Sequence, residues 1–428
     1  MHACGSCSLL AFVIVLAIGC RKEPIDEQGP SITIAAPDNS TTLHIPDTLH
    51  VSFDVSDDHM VGSVWISLGD INGVPIAPSV TVNVNSDHAH IERDIIVSDL
   101  SIQNGNYSLA VRASDGTNMS SAFRSVNVVG SPLRLRAVYV SHPGGSITRV
   151  DSVGDVSSFT TVAGLSAIEV NSFTQQLFVA SGPFDPLEVL SLNGEAPSWQ
   201  LPNQNSGGGN YFLALYTDPM DDRTYVSSND GAIRGYDRNG VPQFTAQAMP
   251  GWKPSQGVVS GARFLSVQQV IGTNEKRLVS YTYSSGDPIQ SFTIDVAPLK
   301  IFPISDQEIL LWGTRDGQGI IEKMNVTQGG AWDVRIFTNG PMMGADRIST
   351  TSFVVAFSDR VMRFDLPSNS VTTLFSGPVS DFAFDRANNI VLVGSGDQLL
   401  AVDPGNGMAV NSIALPALVD HILPLFDR

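Results

Sequence analysis

The sequence predicts an all-β protein in two parts: a β-sandwich of about 100 residues, then a ring of four-stranded repeats closed by the C-terminal strand. Three observations lead there. No stretch keeps a helical period; short alternating runs of Val, Ile, Thr, Phe and Ser recur instead, broken by Gly, Asp, Asn and Pro. The 38 glycines and 25 prolines supply the turns that so many short strands require. Beyond the joint Gly130-Ser131-Pro132, the chain repeats itself roughly every 42 residues.

The N-terminus comes first. Its apolar run Leu9–Ile18 is roughly ten residues long, half of what a membrane-spanning helix needs, so it reads as the core of a signal peptide. The run ends in Leu16-Ala17-Ile18-Gly19-Cys20. This resembles the lipobox of bacterial lipoproteins. The resemblance implies that residues 1–19 are a removed leader, that Cys20 is acylated and that the mature protein is exported. The chain departs from that pattern twice: its first residues carry only His2 in place of Lys or Arg, and Ala17 stands where Leu is more usual. Residues 20–30 are charged, lack aromatics and contain two prolines, which suits a solvated tether. Position 21 is Arg and not the Asp that signals inner-membrane retention in many lipoproteins, and Arg21-Lys22-Glu23 is similar to a surface-export tag. The expected address is the outer membrane, on its periplasmic face or at the cell surface. Acyl chains at about 0.8 kcal/mol per buried CH₂ make such anchoring permanent.

Composition narrows the partners. The formal net charge is −18, and residues 1–19 contain no Asp, Glu, Lys or Arg, so the mature part keeps all of it. Nucleic acid is excluded as a partner, because phosphates need Lys and Arg. Flat binding to anionic lipid is excluded too, so membrane contact rests on the lipid. Of Cys4, Cys7 and Cys20 only the last survives processing, which leaves no disulfide and no thiolate zinc site.

Residues 31–129 give seven candidate strands: Ser31–Ala35, Leu49–Val55, Gly62–Leu68, Ser79–Asn85, Ala89–Val97, Asn106–Ala113 and Ala122–Val128. Their number and spacing fit an immunoglobulin-like (Ig-like) β-sandwich. The stretch Asn104–Gly116 resembles the late strand of such domains, where a tyrosine, here Tyr107, returns its hydroxyl to the backbone. No Cys–Trp–Cys pattern is present, and Trp65 is the expected core aromatic.

In residues 133–428, Phe212–Gly240 and Asp381–Gly407 share one pattern: strand, acidic turn, strand, Asp turn, strand, then Asp with a Gly-containing turn. Ser352–Asp365 repeats its middle. First strands are expected near Ala167, Phe212, Gly261, Leu299, Ala345, Asp381 and His421. Such a period belongs to four-stranded propeller blades. The last repeat stops after one strand, and the three missing strands are at the start: Ala137–Ser141, Ser146–Asp151 and Ser157–Val162. The C-terminal strand Ile422–Phe426 should therefore pair alongside Ala137–Ser141, giving a seven-bladed β-propeller. These repeats resemble the broad class of NHL-, YVTN- and PQQ-like propellers. The sialidase box is absent, since Ser228-Asn229-Asp230-Gly231 continues as Ala232-Ile233, and no Trp docking motif for a quinone follows Asp403.

Chemistry is sparse. Five histidines, His44, His50, His59, His88 and His90, fall in the first domain, and the repeats hold only His142 and His421, so no histidine cluster can converge there. His88 and His90 share a strand face as metal ligands can, with His59 or Asp87 as a third, against the plainer reading of a polar turn. No metal and no cofactor is assigned. Asp185, Asp230, Asp287, Asp316, Asp359 and Asp397 fall at the turn between second and third strands. They form either an acidic belt on one face or simple turn chemistry. On that face Met249–Pro254 presents Trp252 and Lys253, Gly340–Gly344 presents Met342 and Met343, and Asn203–Asn210 adds an Asn/Gly run. Trp suits binding hot spots and Met suits adaptable surfaces, unless they fold inward to plug the ring. The expected ligand-binding set is Trp252, Lys253, Met342, Met343, Asp230, Asp316, Asp359 and Asp397. The expected function is a lipid-anchored envelope scaffold that binds a protein or glycan, non-enzymatic; the alternative is a propeller-type lactonase, lyase or glycosidase with carboxylates in the channel.

Overall fold

The computed structural model describes residues 28–70, 73–100, 102–192, 197–217, 222–270 and 272–427. Cys4, Cys7, Cys20, the leader and most of the tether lie outside the described residues. Internal contacts divide the chain after Pro132 into two units. Among the described residues no helix is long and apolar enough to cross a membrane.

The first unit holds β1 (Ser31–Ala36), β2 (Thr41–His44), β3 (Asp47–Gly69), β4 (Val80–Val97), β5 (Gly105–Ser114) and β6 (Met119–Val129). They hydrogen-bond in the order β1-β3-β5-β6-β2, with β4 also on β3. The strands expected at Leu49–Val55 and Gly62–Leu68 are one, and so are Ser79–Asn85 and Ala89–Val97. Bulges between Ser56 and Ser63 carry the β3–β4 pairing across the expected gap. They also flip the parity of burial: Leu49, Val51, Phe53 and Val55 face the core before them, Val64, Ile66 and Leu68 after. β2, missed by the sequence pattern, pairs parallel with β6. Trp65 is a correction. It is 38% exposed with the Arg112 guanidinium 5.1 Å from its ring, and the core aromatic is Phe53. Tyr107 does donate its hydroxyl back to the Gln103 carbonyl, at 3.0 Å.

The second unit is a β-propeller. Among the described residues, seven four-stranded antiparallel sheets follow one another. Their inner strands are Leu165–Asn171, Phe212–Thr217, Lys253–Ser260, Ala297–Pro303, Gly344–Arg347, Asp381–Asp385 and His421–Asp427. Each touches the next, and the last touches the first, so they line a closed ring. Apolar clusters fill the space between neighbouring sheets, as where Trp312 packs on Phe353 and Phe364. Second strands are covered on both faces, and some, such as Phe353–Phe357, therefore read as unbroken apolar runs. Outer strands such as Ala409–Ala414 are almost wholly exposed.

The last sheet joins the two ends of the unit. The closing strand His421–Asp427 pairs antiparallel with β7 (Arg134–Ser141), with Ile422 opposite Val140 and Leu425 opposite Ala137. β8 (Ser146–Asp151) and β9 (Val156–Thr161) complete it. One first strand was misplaced by the pattern. The third sheet begins at Lys253–Ser260, not near Gly261, because Lys253-Pro254-Ser255-Gln256-Gly257 has no apolar alternation to mark it.

Candidate functional site

Strand alternation fixes what each face carries. Inner strands start on one face, with the turns between second and third strands; they end on the other. We call these the entry and exit faces.

The entry face holds most of the expected site residues, but not as a convergent cluster. Asp230, Asp316, Asp359 and Asp397 do occupy second-to-third turns, as does Asp185. Asp287 does not: it lies between Lys276–Thr282 and Pro288–Ile294, a third-to-fourth turn, which follows from the shifted start of that sheet. The turn acids mostly serve their own turns. Asp230 accepts the Ala232 N–H and the Tyr211 hydroxyl, each at 3.0 Å. Burial pushes its carboxyl up, but these bonds and Arg234 outweigh that and hold it below the usual range. Asp359 is bridged by Arg360 at 2.6 Å, which holds it low. Asp397 accepts from Gln398 at 3.2 Å. Asp316 takes a positive φ of 52° beside Gly317 at 76°, the backbone of a type I′ hairpin.

Three of the expected loop residues need correction. Trp252 is half-buried under the Arg277 guanidinium, 3.7 Å from its ring centre, so its face is already covered. Lys253 begins an inner strand and donates to the Asn229 carbonyl. Met342 is 4% exposed and packs with Phe357, Phe337 and Phe302, so it is core. Its neighbour Met343 is 41% exposed. The Asn/Gly run is pinned: Asn203 and Asn205 both donate to the Pro183 carbonyl. The apolar groups that do stand out on this face are Phe184, Met343 and Leu418, at 65%, 41% and 58% exposure. Phe184 was missed because it stands alone among turn residues, and Leu418 because nothing in the apolar stretch Ala417-Leu418-Val419 marks which side chain stays outside.

Among the described residues the histidines do not converge on one site. His142 is buried, with Nδ1 at 2.9 Å from the Leu418 carbonyl and Nε2 at 2.7 Å from Thr148, and so braces the closing seam. In the first unit His90 pairs with Asp54 at 2.9 Å and is raised by that bond and by Glu92. His59 lies against Asp57 and Asp58, not against His88 and His90.

The cavity is elsewhere. A space of about 600 Å³ is lined by all seven inner strands, towards their exit ends. Phe302, Phe384, Pro424 and Phe426 form apolar walls, and Glu169, Lys300 and Asp346 bring charge. Inner strands have one edge on the channel, so their N–H groups there need other partners. Asp346 supplies one, accepting the Phe384 N–H at 3.2 Å as well as that of Arg347 at 2.7 Å. Asp381 repeats the device for Ile422. Glu169 Oε1 accepts the Val170 N–H at 3.2 Å and the Thr217 hydroxyl at 3.1 Å. Burial pushes its carboxyl up, Lys300 and these bonds oppose this, and Asp346 adds to it. A charged residue in mid-strand among apolar ones, as in Ile168-Glu169-Val170 and Leu299-Lys300-Ile301, was the available signal.

No family model and no curated protein matches the chain. Solved structures do resemble it in fold. A structural-genomics protein from Lactobacillus plantarum superposes with a TM-score of 0.51 at 12% identity, over 69% of this chain and 99% of that one. BamB from Moraxella catarrhalis gives 0.43 at 13% identity, over 69% and 94%. The dihydro-haem d1 dehydrogenase NirN, in complex with DHE, gives 0.48 at 14%, over 82% and 78%. At such identities the likeness concerns the fold alone.

Proposed function

We propose that this chain is a lipid-anchored protein of the outer membrane, on its periplasmic face or at the cell surface, whose propeller is a scaffold for an envelope protein or glycan. In this reading the seven four-stranded sheets are the seven blades of one ring, and the first unit is an Ig-like stalk. The lipobox-like Leu16–Cys20 supports the anchor, and the acidic balance supports a partner other than nucleic acid.

One observation carries the binding reading: Phe184, Met343 and Leu418, all large and apolar, stand exposed on the same face of a rigid ring. Two of them precede inner strands and so flank the channel mouth. The test is photo-crosslinking on intact cells from positions 343 and 418. A discrete adduct at both, lost on Phe184→Ser, supports the reading; none at either position overturns it. Cys20→Ala should abolish palmitate labelling and membrane pelleting, and retention of both would remove the anchor.

A second reading, a channel enzyme, is favoured by the raised carboxyl of Glu169 beside Asp346 and Lys300 in the cavity. Hydrolysis of a lactone or glycoside by the purified protein, lost on Glu169→Gln, would put it first.

A further inference from the structure

We propose that the channel cavity is a binding site for a small organic monocarboxylate, held by the Lys300 ammonium and oriented by the free oxygen of Glu169. The inference is independent of the entry-face scaffold, since it concerns the opposite end of the inner strands.

Charge in the channel is mostly spoken for. Asp346 uses both oxygens on backbone N–H groups. Arg347 donates to the Pro303 carbonyl at 2.6 Å and lies over the Phe302 and Phe353 rings. Arg386 sits 4.7 Å over Phe426. Two groups are left. Lys300 lies mid-strand, exposed to the cavity, with no hydrogen bond and no carboxylate within 4.0 Å among the described residues. Glu169 spends Oε1 on Val170 and Thr217, and its Oε2 accepts nothing. A structural role would have paired these two with each other. Their separation leaves a gap with an N–H donor on one side and a carboxyl on the other.

The surroundings choose the ligand class. A lone ammonium in an apolar-walled cavity calls for an anion. A dianion such as phosphate would be repelled by the Asp346 carboxylate about twice as strongly as a monoanion. A monocarboxylate meets less repulsion, because burial favours the neutral form of Glu169, which then donates its proton to the ligand. The volume, about 600 Å³, leaves room for an organic body against Phe302, Phe384 and Pro424, which a bare inorganic anion would not fill.

The test is titration calorimetry on the whole protein with D-glucuronate, lactate and benzoate, and with D-glucose and inorganic phosphate as controls. At least one carboxylate should bind below about 10 mM while glucose and phosphate do not. Lys300→Gln, or Lys300→Met if the first variant does not fold, should weaken that binding by at least about tenfold, and Lys300→Arg should retain most of it. Binding should also weaken as pH rises and Glu169 ionises, and Glu169→Gln should remove that dependence. No binding of any of the three acids overturns the proposal, as does equal binding by phosphate or by the Lys300→Gln variant. Entry-face crosslinking is unaffected by either result.

Discussion

Asp381 Oδ2 accepts the N–H of Ile422 at 2.7 Å, so a carboxylate of one inner strand holds the backbone of the next, and that next strand is the one that closes the ring. On its other side Ser172 Oγ accepts the Phe426 N–H at 3.1 Å. The closing strand is thus held by β7 along one edge and by both neighbouring inner strands on the other.

This makes Asp381 a seam residue with a pH signature. Burial pushes its carboxyl up to about 6, against the Ile422 bond and nearby His421. A carboxyl raised on folding contributes stability that is full below its ordinary value of 3.8 and is lost as pH rises through about 6. Asp381→Asn keeps an acceptor for Ile422 and should flatten the fall in stability across that window in pH-dependent melts. Asp381→Ala leaves the N–H unpaired and should cost about 1–3 kcal/mol below that window, and less above it, where the wild type has lost the contribution of its protonated carboxyl.

Much of this was legible in the chain. The repeat length and the orphan final strand announce a ring that borrows its last strand, because a lone inner strand has no sheet of its own. What was not legible follows from where patterns fail. The third sheet opens on polar residues, so its register slipped and took Asp287 with it. Met342 and Met343 are adjacent and chemically identical, yet the loop leading into Gly344–Arg347 turns one into the core and leaves one out. The sequence pattern does not single out Glu169 and Lys300, because nothing in a single strand says that its open side faces an enclosed channel.

Glu322 gives a second pH effect, on the outer part of one sheet. Arg315 bridges Asp295 at 3.1 Å, Glu322 at 3.5 Å and Asp333 at 2.5 Å. Burial first and Asp295 next push the Glu322 carboxyl up to about 7, though Arg315 opposes them. Wild-type stability should therefore fall as pH rises from about 4.5 to about 7. Glu322→Gln should lose that part of the slope, and an unchanged slope in urea melts at stepped pH would contradict the assignment.

The methionine pair separates packing from display. Met342→Ala should destabilise the ring by about 2–5 kcal/mol, through the cavity left among Phe302, Phe337 and Phe357. Met343→Ala should leave stability within about 0.5 kcal/mol and reduce partner capture at the entry face. Chemical melts of the two variants check the first half, and crosslinking the second.

Two glycines with nearly equal φ should respond differently. Gly286 has φ +74° and a Cβ there would lie 1.8 Å from the Thr245 carbonyl oxygen; Gly317 has φ +76° with nothing within 4 Å. Gly317→Ala should cost roughly 1–2 kcal/mol from backbone strain alone. Gly286→Ala should cost clearly more, since backbone must move, and equal melting temperatures for the two would contradict the close approach.

The most direct test of the closed ring is a disulfide across its seam. Pro424 stands directly opposite Val138, and facing residues of an antiparallel pair have Cα atoms about 4.5–5.5 Å apart, within disulfide reach. Val138→Cys with Pro424→Cys should oxidise to an intrachain bridge, identified by mass spectrometry of the linked peptides, and raise the melting temperature. A folded double variant whose two thiols stay free, or that links only between chains, would mean that the C-terminal strand does not close the ring.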